Sequence, residues 1–330
     1  VIEVVIPAYN AAPFLRETLE SLAAQTRPPA RVTVVDDRST DGTAELARAA
    51  AAELAPRVAI RVLQNAGPQG PSAARNTAIR ASDAAWIALC DSDDLLLPRH
   101  HAALAALLEA APDIVLAFGD GALFAHATGA TLVASHNAES GANALPAEPL
   151  GEGFAVGEAM FGALLPSGIF CTSACLFRRE DALAAGLFDE AMRYSEDTDL
   201  FLRLALCGRF AFTRELIARK RVHETNLSHA RNAIRFAAGI ARSATRLARR
   251  AAPGAADPIA PTPAQRAALE AWLPRALNRY LYAASQQGFS AYRDAARAAA
   301  EAGRPGLAAA PRHLARLLGN ALRGAAARSG

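Results

Sequence analysis

The chain has 330 residues, of which 52% are hydrophobic and 20% charged, with a formal net charge of +3. That apolar fraction excludes global disorder, and no apolar run approaches the ~18 residues that a membrane-spanning helix needs. Charge is unevenly spread: residues 231–330 hold 16 Arg and 4 acids, whereas residues 1–230 hold 19 basic and 28 acidic residues, with Lys220 the single lysine.

The chain opens directly on the strand-like run Val1 to Ile6, so no secretory leader is expected. Pro7 stops that strand. Residues 12–24 have helical spacing through Phe14, Leu15, Leu19 and Leu22. Arg31 to Val35 reads as a second strand ending in Asp36-Asp37, and Asp41 or Thr43 is the expected N-cap of a helix running to residue 54. Val58 to Leu63 is a third strand, Ser72 opens a helix to about Ser82, and Ala85 to Leu89 is a fourth strand ending in Cys90-Asp-Ser-Asp-Asp94. Pro98 suits the first turn of the next helix, and Ile114 to Phe118 is a fifth strand.

Strands and helices that alternate in this way imply an α/β fold with a mostly parallel sheet flanked by helices. Ligands of such sheets bind outside the C-terminal strand ends. Three polar clusters fall there: Tyr9-Asn10, Asp36-Asp37 and Asp91 to Asp94. Residues 126–155 lack periodicity and read as a loop insertion, followed by a helix near 197–207 and a strand near 209–222. After about 230 the pattern is helical, broken between Pro253 and Pro263 and again at Pro305 and Pro311. The expected division is therefore 1–115, 116–228 and a basic helical region 229–330.

Asp91, Asp93 and Asp94 crowd one strand end. Like charges so spaced repel unless a cation lies between them, and hard oxygen ligands suit Mg²⁺ or Mn²⁺. The plainer reading is a solvated turn with Ser92 or Asp93 capping the next helix. Asp36 and Asp37 can accept from a base N–H or simply form a turn. Arg75, after the Gly67-Pro-Gln-Gly-Pro71 loop, can reach a phosphate or pair with an aspartate. That loop is neither GxGxxG nor GxxxxGK[ST], so dinucleotide and P-loop sites are excluded. Asp197, beside Glu196, falls at a helix N-terminus, as a cap or as a general base. His223 follows Arg219-Lys220-Arg221, a positive run suited to a diphosphate. Histidines without ligand spacing exclude zinc, and the four cysteines Cys90, Cys171, Cys175 and Cys207 read as reduced thiols in a cytoplasmic setting.

These motifs, in order, resemble glycosyltransferase family 2, whose nucleotide-sugar-binding fold is called GT-A. The resemblance rests on Ile6-Pro-Ala-Tyr-Asn10, Val35-Asp-Asp-Arg-Ser-Thr-Asp-Gly-Thr43, Gly67 with Ala74-Arg-Asn76, Leu89-Cys-Asp-Ser-Asp-Asp-Leu95, Ser195-Glu-Asp197, and His223 with Asn226 and Ser228. It covers about residues 1–228. It implies that Pro7, Ala8 and Tyr9 line a base pocket, that Asp37 with Asp36 holds the base, and that Arg75, Asp91 and Ser92 lie at the nucleotide. It also implies a Mn²⁺ or Mg²⁺ ion at Asp93 with His223 nearby, and Asp197, beside Glu196, as the base of an inverting transfer from a nucleotide sugar, UDP-linked by expectation, to a glycan, lipid-linked or other hydroxyl. Arg38 stands where the family usually has Gly, at a loop position expected to be tolerant. Competing readings are a nucleotidyltransferase and a catalytically silent nucleotide-sugar-binding module.

In the tail, Arg231, Arg235, Arg242, Arg246 and Arg249 share one helical face, opposite Phe236, Ile240, Ala244 and Leu247. Arg312, Leu314, Arg316, Leu317 and Arg323 form a shorter copy of the pattern. The alternatives are a solvated Arg face and docking on an anionic membrane, peripherally on its inner face. Nucleic acid is not expected, because no aromatic residues interleave with the arginines.

Overall fold

The computed structural model describes residues 1–166, 168–250, 259–317 and 320. It divides into two compact units, one of Val1–Leu164 with Gly168–Glu224 and one of Leu165–Ser167 with Thr225–Gly330.

The first unit begins with the expected alternation. β1 (Ile2–Ala8), α1 (Leu15–Ala23), β2 (Arg31–Asp36), α2 (Thr43–Leu54), β3 (Ile60–Gln64), α3 (Pro71–Arg80) and β4 (Trp86–Leu89) are followed by β5 (Leu95–Leu96), α4 (His100–Ala110) and β6 (Ile114–Ala125). Val4, Ile6, Val32 and Val34 are buried in one sheet layer, and Leu15, Leu19 and Leu22 of α1 pack in the same core. β1 pairs in parallel with β2 and β4, and β2 with β3. Their C-terminal ends therefore share one edge, where Tyr9, Asp36-Asp37 and Asp91–Asp94 are displayed.

Several local expectations change. The residue preceding α2 is Gly42 in a left-handed conformation (φ 85°), with no side-chain cap. Asp41 instead accepts the Thr43 N–H at 3.0 Å from one residue further out. Pro98 lies two residues before α4, outside its first turn. The span 126–155 is structured: β7 (Thr131–Val133), α5 (His136–Ser140), β8 (Glu148–Leu150) and β9 (Gly153–Val156) extend the sheet and its cover. Buried Asp120 fastens this stretch, accepting from the Asn137 N–H at 3.0 Å and from the Ser135 hydroxyl.

The unit closes with α6 (Ala159–Leu164), β10 (Cys175–Arg178), α7 (Arg179–Ala184), α8 (Glu196–Leu204) and β11 (Arg209–Val222). The strand order is β3-β2-β1-β4-β10-β6-β11-β9-β8. β10 runs antiparallel to both β4 and β6, so only the N-terminal part of the sheet is parallel and the rest is mixed. At Gly121 of β6 an added Cβ would lie 2.8 Å from Cys171 Sγ. The missing side chain lets the segment before Thr172 lie tight against the strand.

The second unit is helical, with α9 (Ala233–Arg250), α10 (Pro263–Gln287) and α11 (Phe289–Glu301). α10 opens with a reciprocal cap between Thr262 and Gln265, with Pro263 in its first turn. On α9, Ile240, Ala244 and Leu247 are buried while Arg231, just before it, and Arg235, Arg242 and Arg249 are exposed; Arg246 is half-buried. The break around Pro253 and the residue Arg323 lie outside the described residues.

Candidate active site

The acidic cluster follows β4. Oxygens of Asp91, Asp93 and Asp94 lie within 4.8 Å of one another. The three carboxyls nevertheless differ in their surroundings. Asp94 is buried; its two oxygens accept from the Ser173 hydroxyl at 2.7 Å and the Arg221 backbone N–H at 2.9 Å. Burial, then Asp93 and Asp91, push its pKa well above the usual range. Asp94 is thus a structural bolt between β11 and the residues before β10. Asp91 and Asp93 are half-buried. Asp93 Oδ2 lies 2.8 Å from His223 Nε2, and the imidazole stacks on Phe14 with ring centroids 4.4 Å apart. Ser92 caps no helix; its carbonyl accepts from the Thr18 hydroxyl at 3.1 Å.

Arg75, on α3, bridges two distant acids. One terminal nitrogen donates to Asp91 Oδ1 and the other to Glu196 Oε1, both at 2.8 Å. The guanidinium is buried, packs over Phe188, and leaves its Nε without a partner among the described residues. Burial alone would lower its pKa, but Asp91 and Glu196 more than offset that and raise it. Burial pushes the Glu196 carboxyl up to about 7, against the opposing pull of Arg75 and with a further push from Asp197.

Asp197 is the second residue of α8 rather than its cap; Ser195 precedes the helix in a left-handed conformation (φ 58°). Asp197 Oδ2 accepts the Thr172 hydroxyl at 2.6 Å, and Oδ1 accepts the Thr198 N–H at 2.6 Å. Thr172 and Ser173 belong to a short 3₁₀ turn at Thr172–Ala174. Ser173 also accepts the Asp91 N–H at 3.0 Å. Two separate bridges, Arg75 and this turn, therefore join the acidic cluster to the Glu196-Asp197 pair. Neither Thr172 nor Ser173 was marked by the sequence, where only the flanking cysteines drew notice.

At the neighbouring strand ends, Tyr9 is exposed, Pro7 half-buried and Ala8 buried. Asp36 Oδ2 accepts from Gln64 at 3.2 Å. Asp37 accepts the Gly70 N–H at 2.8 Å and the Asn65 amide, and Arg38 lies 3.7 Å away. Burial raises the Asp37 pKa against these donors. Arg38 has φ 67°, the region that favours glycine, which makes this loop position conformationally demanding rather than tolerant.

The positive run before His223 does not act as one cluster. Arg219 and Arg221 both lie over the Phe124 ring, at 4.4 and 4.9 Å, and Arg221 also pairs with Glu17 at 2.6 Å. Lys220, between them on a strand, points to the other face.

The family Glycosyl transferase family 2 matches residues 3–123. The succinoglycan biosynthesis protein ExoO of Rhizobium meliloti is 42% identical over 94 residues, 28% of this chain and 26% of that protein. The poly(ribitol-phosphate) beta-glucosyltransferase of Bacillus spizizenii is 36% identical over 97 residues, 29% of this chain and 15% of that one. The matched stretches thus span about a quarter or less of these relatives. Among solved structures, S. aureus TarS in complex with UDP-GlcNAc superposes with TM-score 0.62 at 18% identity, over 97% of this chain and 88% of that one. The Pyrobaculum calidifontis mannosyltransferase PcManGT, in complex with GDP-Man and Mn²⁺, gives 0.55 at 22%, over 98% and 86%. At these identities the likeness concerns the fold, which is that of GT-A glycosyltransferases.

Proposed function

We propose that this chain, whose residues 3–123 match the family Glycosyl transferase family 2, is an inverting glycosyltransferase. It moves a sugar from a nucleoside diphosphate, UDP by preference, to an acceptor hydroxyl. The observation that carries the reading is the double bridge of Arg75 and the 172–174 turn, which fixes a carboxylate pair suited to a cation beside a separate carboxylate suited to a base.

Asp91 and Asp93, with His223, offer the oxygen and nitrogen donors that Mn²⁺ or Mg²⁺ accepts, while buried Asp94 already accepts from Ser173 and the Arg221 N–H. When bound, such an ion supplies charge stabilisation for a diphosphate leaving group. In this reading Asp37 and Asp36 meet the base beside Tyr9, and Asp91 meets the ribose. Asp197 takes the proton of the acceptor hydroxyl as its oxygen attacks the anomeric carbon from the face opposite the nucleotide. The C–O bond to phosphate breaks and its electron pair leaves with the diphosphate. The Thr172 hydroxyl orients Asp197 for that task. One base suffices, because no covalent intermediate forms.

Part of the same reading is synthesis of a cell-surface polysaccharide or glycolipid in the cytoplasm, with the exposed arginines of α9 resting on an anionic membrane face. Among the described residues no helix is long and apolar enough to cross a membrane. The test is a screen of UDP- and GDP-sugars for transfer or slow hydrolysis, with Mn²⁺ and with excess chelator. Turnover that needs the metal is expected; no turnover of any donor, or full turnover in chelator, refutes the reading as stated.

A further inference from the structure

The single lysine of the chain occupies a place that the ion-and-base scheme leaves without a task. Lys220 sits near the end of β11, paired with Leu123 of β6. Its neighbours Arg219 and Arg221 project to the face that holds Phe124. Strand alternation sends Lys220 to the opposite face, shared with the Gly121 position. That face abuts Cys171, immediately before the Thr172 that holds Asp197. Lys220 is half-buried, and its ammonium has no hydrogen bond or ion pair among the described residues.

The surroundings are acidic, yet no described carboxylate lies within ion-pair distance of the ammonium. The carboxylates whose fields reach Lys220 are Asp94, Asp91 and Asp197, and Cys171 lies among them. Asp94 is held by Ser173 and the Arg221 N–H, Asp91 by Arg75, and Asp197 by Thr172 and the Thr198 N–H. These acids more than offset the effect of burial and raise the lysine's pKa, so it stays cationic. Three N–H donors on a compact charge are thus left for an acceptor that comes from outside.

We propose that Lys220 is a substrate-binding residue whose ammonium holds a phosphate oxygen of the donor's diphosphate, between the acidic cluster and Asp197. The inference rests on the glycosyltransferase reading and adds a cation supplied by the protein to it. An anionic oxygen is the fitting partner, because an ammonium gains more from a charged acceptor than from a sugar hydroxyl. Charge grows on that oxygen as the sugar leaves, so the contact strengthens in the transition state. No proton is transferred: Lys220 remains an ammonium, and the bond-breaking electron pair stays on the departing diphosphate.

Because the chain has one lysine, ¹⁵N-lysine labelling of this 330-residue chain places a single side-chain reporter in it. UDP, GDP, inorganic pyrophosphate and uridine are titrated in the presence of Mg²⁺, following the ¹⁵Nζ signal and, by calorimetry, the affinity. The expected result is a shift of the signal with pyrophosphate and a nucleoside diphosphate but not with uridine. Lys220→Gln should weaken diphosphate binding about 10–100-fold, the worth of one charge-assisted bond, leave uridine affinity within about twofold, and be partly rescued by Lys220→Arg. The labelling readout needs no variant, so a misfolded Lys220→Gln does not shield the idea. A signal that stays fixed while UDP or GDP saturates the wild type overturns the assignment to Lys220 alone. Failure of the wild type to bind any diphosphate overturns the glycosyltransferase reading and this inference with it.

Discussion

Arg75→Met removes one of the two bridges and leaves two acids facing each other. Both ion pairs are 2.8 Å long, and the side chains of Arg75 and Glu196 are only 5% and 10% exposed. Breaking a buried pair by deleting one partner typically costs about 3–5 kcal/mol. The lower end applies here for two reasons. Asp91 keeps 29% of its side chain exposed and can be rehydrated. Glu196, already pushed up to about 7 by burial, shifts further and takes up a proton at neutral pH once the cation is gone. A loss of about 3 kcal/mol lowers the melting temperature by roughly 6–12 °C for a unit of this size. The sign of the pH effect follows from the same group. Its folded pKa lies above its ordinary 4.5, so its contribution is complete below pH 4.5 and is lost as pH rises through 7. Arg75→Met should therefore be most damaging at alkaline pH. Adding Glu196→Gln removes the stranded acid and should restore about half of the loss. Circular-dichroism melts of the two variants between pH 5 and 8 check this. An Arg75→Met protein melting within 2 °C of wild type, or a double variant no more stable than the single one, would refute the bridge argument.

Other outcomes are equally direct. Asp197→Asn should lower kcat about 10²–10⁴-fold while UDP affinity by calorimetry stays within about twofold; turnover within tenfold of wild type rules out a general base there. Arg38→Gly relieves the left-handed backbone at the cost of an exposed hydrogen bond to the Gly67 carbonyl, and a net gain near 1 kcal/mol should appear as a raised denaturant midpoint. His101 is buried, and burial pushes its imidazole down to about 4, below the ordinary 6.5. Its contribution is present above pH 6.5 and falls by up to about 3 kcal/mol as pH drops to 4, so His101→Gln should flatten the stability profile across that window; an unchanged slope argues against it.

Much of the site was legible because parallel strands gather their C-terminal ends on one edge. Tyr9, Asp36-Asp37 and Asp91–Asp94 can be placed there from alternation alone. What stayed hidden depends on contacts between parts of the chain far apart in sequence. Thr172 and Ser173 carry no periodic signal, and their value comes from reaching Asp197 on one side and Asp91 and Asp94 on the other. Residues 126–155 looked irregular because each element is only three to five residues long, too short for a period to show. Arg219 to Arg221 forms one positive run in the sequence, although strand alternation separates Lys220 from its neighbours. The strain at Arg38 was visible only as a departure from glycine.

The short turn at 172–174 gives two chemical duties a common mounting. In the proposed mechanism one hydroxyl steers the carboxylate that would accept a proton, and the next braces the backbone beside the residues that would hold an ion. Under the proposed mechanism a change to either duty disturbs the other, so differences in acceptor alcohol should arise in the surrounding loops while this three-residue hinge-pin stays put.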